Sequence, residues 1–413
     1  MNAEQAERYL LSLELFGMRF GLERMRRLMT ALHHPERRFD SIHVVGTNGK
    51  SSTVRMIAAI LAKHGLRTGA YLSPHLVSFG ERIRIDDTDL ESARFAVAVT
   101  RAARAVELVD RSAPSDDRVT QFEALTAAAY SELAEQGVEV AVIEAGLGGR
   151  YDATNVIPSR VQVLTSVGLE HTRWLGPTLT DIAGEKLAVV NRSATLVLGA
   201  DLEPEVRCVA QRVAAGRHAE IVTAGIEPGV EVGAPGAYQR RNFAVAMAAA
   251  RAFLGELDAQ AVAAAAAEVR VPGRLQQVGI APLTLLDGAH NPDGMRALVE
   301  ALSELAGRHE PTVAVLSILE DKDAAGMLGA LLPACNALIV TSSQNPRALP
   351  PATLLSLTSQ LHGPAAEIVP EPRRALARAR ELAGPGGLVI ATGSIYLIAD
   401  LLAPARGQRA SIL

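Results

Sequence analysis

Ser41–Gly65 reads SIHVVGTNGKSSTVRMIAAILAKHG, and its three parts follow one another in an order that decides the fold. An apolar run with β-branched residues leads into a turn containing Gly46 and Gly49. A segment follows in which Val54, Ile57, Ala58 and Leu61 recur at helical spacing. Strand, glycine turn and helix are the parts of a phosphate-binding loop. The glycines let backbone N–H groups approach phosphate oxygens, the helix N-terminus favours an anion, and Lys50 supplies a point charge. Ser51 and Ser52 bring hydroxyls to where a metal would bridge the phosphates. The usual pattern sets two glycines five positions apart, and Val44 occupies the first of those positions here. The plainer alternative, a glycine-rich turn with an incidental lysine, does not account for the strand and helix on either side.

Working outward, short β-rich runs alternate with longer helical patterns, as parallel sheets flanked by helices require, so the class is α/β. Strands are expected at Ser41–Thr47, Thr68–Leu72, Val138–Glu144, Val161–Val167 and Thr195–Gly199. Ligands of open α/β sheets bind beyond the carboxyl ends of the strands, where several of these runs carry reactive residues. After the Ala-rich helical stretch Ala259–Glu268, a Pro-Gly pair interrupts the run Val269–Val278 and marks a hinge. Further strands are expected at Leu283–Asp287, Thr312–Ser317, Ala337–Thr341 and Gly387–Ala391. The expectation is a large N-terminal phosphate-loop domain with a mostly parallel sheet over 1–273 and a smaller α/β domain over 274–413. A length of 413 residues agrees with two domains.

Composition narrows the class. With 48% hydrophobic and 21% charged residues, the chain reads as an ordinary globular protein. The 41 basic and 45 acidic residues nearly cancel to a net charge of -4, which gives no global field for nucleic acid or anionic lipid. Aromatics at 4% argue against a base-stacking platform. Cys208 and Cys335 show no paired spacing, so neither a disulfide framework nor a thiolate zinc site is indicated. No secretory leader and no membrane-length apolar run is read. The expectation is a cytoplasmic monomer acting on small molecules, with no nucleic-acid or membrane partner.

GTNGKSST at Gly46–Thr53 resembles the shortened phosphate loop of the Mur ligase superfamily. Neighbouring runs narrow the resemblance to the folylpolyglutamate synthase and dihydrofolate synthase family. They are LSPHLVSFGERIRI at Leu72–Ile85, TQFEALTAAAY at Thr120–Tyr130, EAGLGGRYDATNV at Glu144–Val156 and VGLEHTRWLG at Val167–Gly176. IAGEK at Ile182–Lys186, VPGR at Val271–Arg274, DGAHNPDG at Asp287–Gly294, LEDKD at Leu319–Asp323, NPRALP at Asn345–Pro350 and TGSIYL at Thr392–Leu397 continue it through nearly the whole chain. Ser51 stands where the family usually has Gly, Leu187–Ala188 replace a common Ala-Gly, and Gln276 replaces a common Glu.

The resemblance implies an ATP- and Mg2+-dependent ligase that joins glutamate to a folate-type carboxylate. Gly46, Thr47, Asn48, Gly49, Lys50, Ser51 and Ser52 would hold the ATP phosphates, with Asn242, Arg274 and Asp287 on the nucleotide. Ser73, Glu144, His171 and Lys186 fall on metal positions. Lys50, Lys186 and His171 are the catalytic candidates. On hardness grounds a histidine is an atypical magnesium ligand, so from its own chemistry His171 reads equally as a structural or substrate-contacting residue. Lys186, within an apolar helix expected at Thr178–Val190, would be a solvated lysine on pattern alone; in the family it is carbamylated and anionic. Thr120, Gln121, Phe122 and Glu123 with Tyr151, Asp152 and Ala153 match segments lining the pteroate pocket. Phe122 could equally be a core anchor. Likewise Ser73 reads as a turn hydroxyl, Glu144 as a paired carboxylate, Arg274 as a surface arginine and Asp287 as a turn residue. His290 would face the incoming glutamate, and a hinge before Arg274 would let closure carry it onto ATP.

Two rival readings stay open at this point: a Mur-type ligase acting on a cell-wall or storage-polymer precursor, and a non-ligase phosphate-loop ATPase. Whether the first or later glutamates are added is not legible in the sequence.

Overall fold

The computed structural model describes residues 1–13, 21–114, 117–306 and 309–403. Two sheets organise them. The first contains β1 (Asp40–Val45), β2 (Thr68–Tyr71), β3 (Ile83–Ile85), β4 (Thr88–Asp89), β5 (Val140–Glu144), β6 (Val161–Leu164), β7 (Thr195–Leu198) and β8 (Glu220–Thr223). Their order is β4-β3-β2-β5-β1-β6-β7-β8. All pairings are parallel except those of β3 with β2 and β4, which turn back at one edge. The central strands are buried on both faces, which is why they read as unbroken apolar runs rather than alternating ones.

One face of this sheet carries the helix Lys50–Lys63 packed against the helix Ala237–Leu254, with Val54, Ile57, Phe243 and Ala246 in a shared core. On another flank, helices Ser92–Arg111 and Gln121–Glu135 pack against the N-terminal helices Ala3–Ser12 and Glu23–Ala31. Register fixes function here: Val44 pairs with Glu144, so the end of β5 lies beside the start of the phosphate loop.

After the helix Ala259–Glu268 the chain turns at Gly273 (φ 67°) and enters a second sheet. It comprises β9 (Gln276–Ile280), β10 (Leu283–Leu286), β11 (Thr312–Leu316), β12 (Ala337–Val340), β13 (Ala365–Ile368) and β14 (Leu388–Thr392), in the order β13-β12-β11-β14-β10-β9. Only β9 runs antiparallel. Each of the nine expected strands has its counterpart, with boundaries shifted by a few residues. The sequence pattern does not announce β3, β4, β8, β9 and β13, which are short and mostly at or near sheet edges. Their exposed or polar residues, as in QQVGI and AAEI, hide the strand pattern.

The two sheets turn their carboxyl edges toward each other. Tyr238 Oη donates to Asp287 Oδ2 at 2.7 Å, and Arg240–Glu304 (3.0 Å) and Arg241–Glu300 (2.6 Å) tie the helix Ala237–Leu254 to the helix Pro292–Ala306. Because Phe243 is fully buried between the phosphate-loop helix and its neighbour, Phe243→Ala should lower the unfolding free energy by about 3–5 kcal/mol, read as a lower urea midpoint with an unchanged slope.

Candidate active site

The loop Gly46–Gly49 joins β1 to the helix Lys50–Lys63. Both of its glycines are required by space. A Cβ on Gly46 would collide with Thr165 Oγ1, and one on Gly49 (φ 83°) would lie 2.5 Å from Asn242 Oδ1. The loop is pinned from the segment after β6. Thr47 N donates to Ser166 O (2.8 Å), Asn48 N to Ser166 Oγ (2.9 Å), and Thr165 Oγ1 to Asn48 O (2.7 Å). Lys50 Nζ donates back to Gly46 O (3.0 Å) and Thr47 O (3.1 Å). Ser52 is buried in the first turn of the helix, and Ser51 is half-buried beside Glu144.

Lys186 reaches the same oxygen. It lies on the helix Leu179–Leu187, which Thr178 and Asp181 start with reciprocal capping bonds, and it is 4% exposed. Its Nζ donates to Gly46 O at 2.8 Å. Burial, then the nearby Lys50 charge, pull its pKa down to about 7, so a large fraction is the neutral amine at physiological pH. A solvated lysine, the reading from pattern alone, is not what the fold provides.

Glu144 ends β5 and is buried. Its Oε1 accepts from Ser51 Oγ (2.9 Å) and its Oε2 from Ser73 N (3.1 Å). Burial raises its pKa, opposed chiefly by Lys50 and by the Ser73 N–H. His171, in the left-handed region at φ 53°, precedes the short helix Thr172–Leu175. Its imidazole is 37% exposed at the outer edge. Partial burial lowers its pKa most; Glu170 pulls upward and Lys322, Lys50 and Lys186 pull downward, leaving it at about 4 and the ring neutral. A neutral imidazole, a carboxylate and serine hydroxyls beside a phosphate loop suit a cation that keeps much of its coordination for phosphate and water. Among the described residues no cluster of three or more His, Cys, Asp and Glu side chains is arranged as a complete protein cage.

On the far side of β5, Thr120, Gln121 and Glu123 have structural partners. Thr120 and Glu123 cap the helix Gln121–Glu135 reciprocally, and Glu123 also accepts from Arg24 Nε at 3.1 Å. Gln121 Nε2 donates to Leu10 O at 2.9 Å. Gln121 and Glu123 tie the N-terminal helices to the start of this helix, and Thr120 caps it. Phe122 is half-buried and stacks on Tyr71 at 6.2 Å. Gly146 lets it approach Asp152, since a Cβ there would lie 2.7 Å from the Phe122 ring and 3.2 Å from Asp152 Oδ2. Asp152 is buried and accepts from Leu147 N (2.8 Å), Thr154 N (3.0 Å) and Thr154 Oγ1; burial raises its pKa. Ala153 is buried, and Tyr151 is exposed.

From the helix Ala237–Leu254, Asn242 Nδ2 donates to Gln239 Oε1 (3.0 Å) while its Oδ1 overlies Gly49. Arg274 donates to Gly273 O (3.0 Å) and packs on Gly288. Asp287 accepts from Tyr238 Oη, from Leu275 N (2.9 Å) and from Ala289 N (2.9 Å). A carboxylate has about four acceptor positions, so roughly one remains for a ligand hydroxyl. His290 Nδ1 faces Gly288 O at 2.9 Å, so it carries a proton, and Nε2 lies 3.4 Å from Glu170 Oε1.

The structure adds pairings between motifs that no single motif announces. Asn48 and Asn291 exchange side-chain bonds at 3.1 and 3.0 Å across the two units. Glu170 accepts from Lys322 Nζ (2.8 Å) and Asn291 Nδ2 (3.3 Å). Burial alone would raise the Glu170 carboxyl, but His290, Lys322 and His171 outweigh it and hold it well below the usual carboxylate range. The signal for this cluster is present in the sequence only as polar and charged residues in the separate runs VGLEHTRWLG, DGAHNPDG and LEDKD.

Residues 44–242 match the Mur ligase middle domain, and residues 273–395 match the Mur ligase glutamate ligase domain. The dihydrofolate synthase/folylpolyglutamate synthase of Bacillus subtilis is 31% identical over 94% of this chain and 95% of its own length. The probable bifunctional folylpolyglutamate synthase/dihydropteroate synthase of Haloferax volcanii is 33% identical over 97% of this chain, which spans 50% of that longer protein. The structure of Mycobacterium tuberculosis folylpolyglutamate synthase complexed with ADP and AMPPCP superposes with a TM-score of 0.89 at 32% identity, covering 97% of each chain. The Yersinia pestis bifunctional folylpolyglutamate synthase/dihydrofolate synthase complexed with AMPPNP and Mn ion gives 0.86 at 28% identity, again covering 97% of each. By matched domains and by coverage, this chain belongs to the folylpolyglutamate synthase and dihydrofolate synthase family of Mur ligases.

Proposed function

We propose that the cleft between the two sheets joins L-glutamate to a folate-type carboxylate at the expense of ATP, through an acyl phosphate. The observation that carries this reading is the convergence of Lys50 and Lys186 on the Gly46 carbonyl beside the buried Glu144. A carboxylate and an amine do not condense at neutral pH, so the acceptor carboxylate first attacks the γ-phosphorus of ATP, releasing ADP. The amine then attacks the acyl carbon, and phosphate departs with one former carboxylate oxygen.

Each part of the site has work in that sequence. Backbone N–H groups of Gly46–Gly49 and the helix N-terminus hold the phosphates, and Lys50 balances charge on the group in transfer. Glu144, Ser73, His171 and a carbamylated Lys186 would hold Mg2+, which supplies charge neutralisation on the phosphate oxygens. Asn242, Arg274 and Asp287 face the nucleotide. Phe122, against Gly146 and Asp152, offers the pterin or benzoate an apolar ring with a carboxylate beside it, while Thr120, Gln121 and Glu123 shape that wall from behind. His290 faces the incoming glutamate. Residues 1–273 thus hold the ATP phosphates and the folate, while residues 274–413 receive the amino acid and lend Arg274 and Asp287 to the nucleotide. Among the described residues no helix is long and apolar enough to cross a membrane; we read the protein as a cytoplasmic monomer without nucleic-acid partners.

ADP release by the purified protein tests the reading. It should require both glutamate and a pteroate-type acceptor, with dihydropteroate and tetrahydrofolate assayed separately to assign first and later additions. ADP release without any acceptor would instead favour a switch or transport ATPase. Replacing Lys50 by alanine should cost roughly 100-fold or more in kcat at saturating ATP, with the circular dichroism spectrum unchanged.

Carbamylation needs the neutral amine, so occupancy of Lys186 at fixed dissolved CO2 should rise as pH climbs through about 7. With carbon-13 bicarbonate, the wild-type protein should show a carbamate resonance that Lys186→Ala lacks. That variant should lose most activity and regain part of it with a short carboxylic acid in the buffer. Normal turnover by Lys186→Ala would mean that the reaction needs no carbamate.

A further inference from the structure

Glu170 stands in the segment after β6, next to His171, yet its carboxylate is spent on the other unit. Lys322 Nζ lies 2.8 Å from Oε1, His290 Nε2 3.4 Å from the same oxygen, and Asn291 Nδ2 3.3 Å from Oε2. Those three residues come from the loops after β10 and β11, which project from the carboxyl edge of the second sheet. The side chains of Glu170 and Lys322 are only 10% and 11% exposed. Among the described residues the other anion beside Lys322 is Asp321 at 3.6 Å, which is 40% exposed and shared with Arg347. On the other side His171 Nε2 lies 3.9 Å from Glu170 Oε1. The Glu170 carboxylate thus stands between His171 of its own segment and the Lys322, His290 and Asn291 side chains of the second unit.

We infer that Glu170 is a positioning residue for the amine half of the reaction, fixing Lys322 and His290 where the carboxylates of the incoming amino acid are received. This rests on the acyl-phosphate ligase reading above. A partly buried ammonium whose strongest counter-anion is removed does not keep its place; it swings to the remaining anion or to water. Without Glu170, Lys322 turns toward Asp321 and His290 loses its Nε2 partner, while the phosphate loop, pinned from Thr165 and Ser166, keeps its anchors. The loss therefore falls on the amino acid and not on ATP. A bond that merely docks the two units would lower thermal stability and weaken all three substrates together.

The test uses the full-length enzyme and two nucleophiles. Glutamate needs its carboxylates recognised, whereas hydroxylamine captures the acyl phosphate as a hydroxamate without them. In E170Q the KM for glutamate should rise about tenfold or more, the scale of one lost charge-assisted hydrogen bond, with a smaller change in the KM for ATP. The ratio of glutamate ligation to hydroxamate formation should fall correspondingly. E170D keeps the charge one methylene further back and should show a smaller rise, and it carries the test if E170Q does not fold. In a double-mutant cycle, E170Q with K322M should lose less than the product of the two single losses. Wild-type glutamate KM in both Glu170 variants, or equal losses with the two nucleophiles, overturns the proposal. Failure of the wild-type enzyme to form any hydroxamate would overturn the acyl-phosphate reading and this proposal with it.

Discussion

Two lysine side chains, Lys50 and Lys186, converge on the single carbonyl oxygen of Gly46. Their charges repel wherever both are protonated, and burial together with the Lys50 charge draws the Lys186 pKa down to about 7. The carboxylates that act on these lysines are already engaged: Glu144, near Lys50, by Ser51 and Ser73, and Asp152 and Glu170, near Lys186, by Leu147 with Thr154 and by Lys322 with Asn291. A site of this kind favours anions arriving from outside, or a change in one lysine. A triphosphate provides the first, and carbamylation of the amine whose pKa lies at about 7 provides the second. The glycines, the helix N-terminus and the burial of Lys186 are all in keeping with that one electrostatic demand.

The second constraint is that the two sheets present their carboxyl edges to each other. Parallel strands gather their variable loops at one edge, so a pair of such sheets set edge to edge encloses a cleft lined by loops from both. Asn48 with Asn291, Glu170 with Lys322, Asn291 and His290, and Tyr238 with Asp287 are polar contacts between them. Such a cleft can hold an activated carboxylate away from water while admitting a second substrate from the opposite sheet.

Much of the fold is legible because its signals are local. The strand, turn and helix of Ser41–Gly65 and the apolar runs that form β5 and β6 carry their own pattern. Edge strands such as β9 and β13 are not legible, since exposed strands lack an apolar rhythm. In the site, Lys50, Glu144, His171 and Lys186 can be picked out by their motifs, and the fold brings them together around one loop. Thr120-x-x-Glu123 reads as ligand contacts by resemblance, although the same spacing is a helix-capping signature that the structure realises. Glu170 with Lys322, and Asn48 with Asn291, cannot be paired from sequence. The partners lie 152 and 243 residues apart, and nothing local to either names the other.

An acceptor carboxylate that becomes an acyl phosphate in this cleft hands one of its oxygens to the departing phosphate, and isotope transfer reads that step. With both oxygens of the acceptor's reacting carboxylate replaced by oxygen-18, each turnover should release phosphate carrying a single labelled oxygen and leave the other in the new amide. Label found in AMP would point to an adenylate instead. Unlabelled phosphate, with ADP formed at the rate of ligation, would mean that ATP is hydrolysed without ever being bonded to the substrate, and would contradict the acyl-phosphate route.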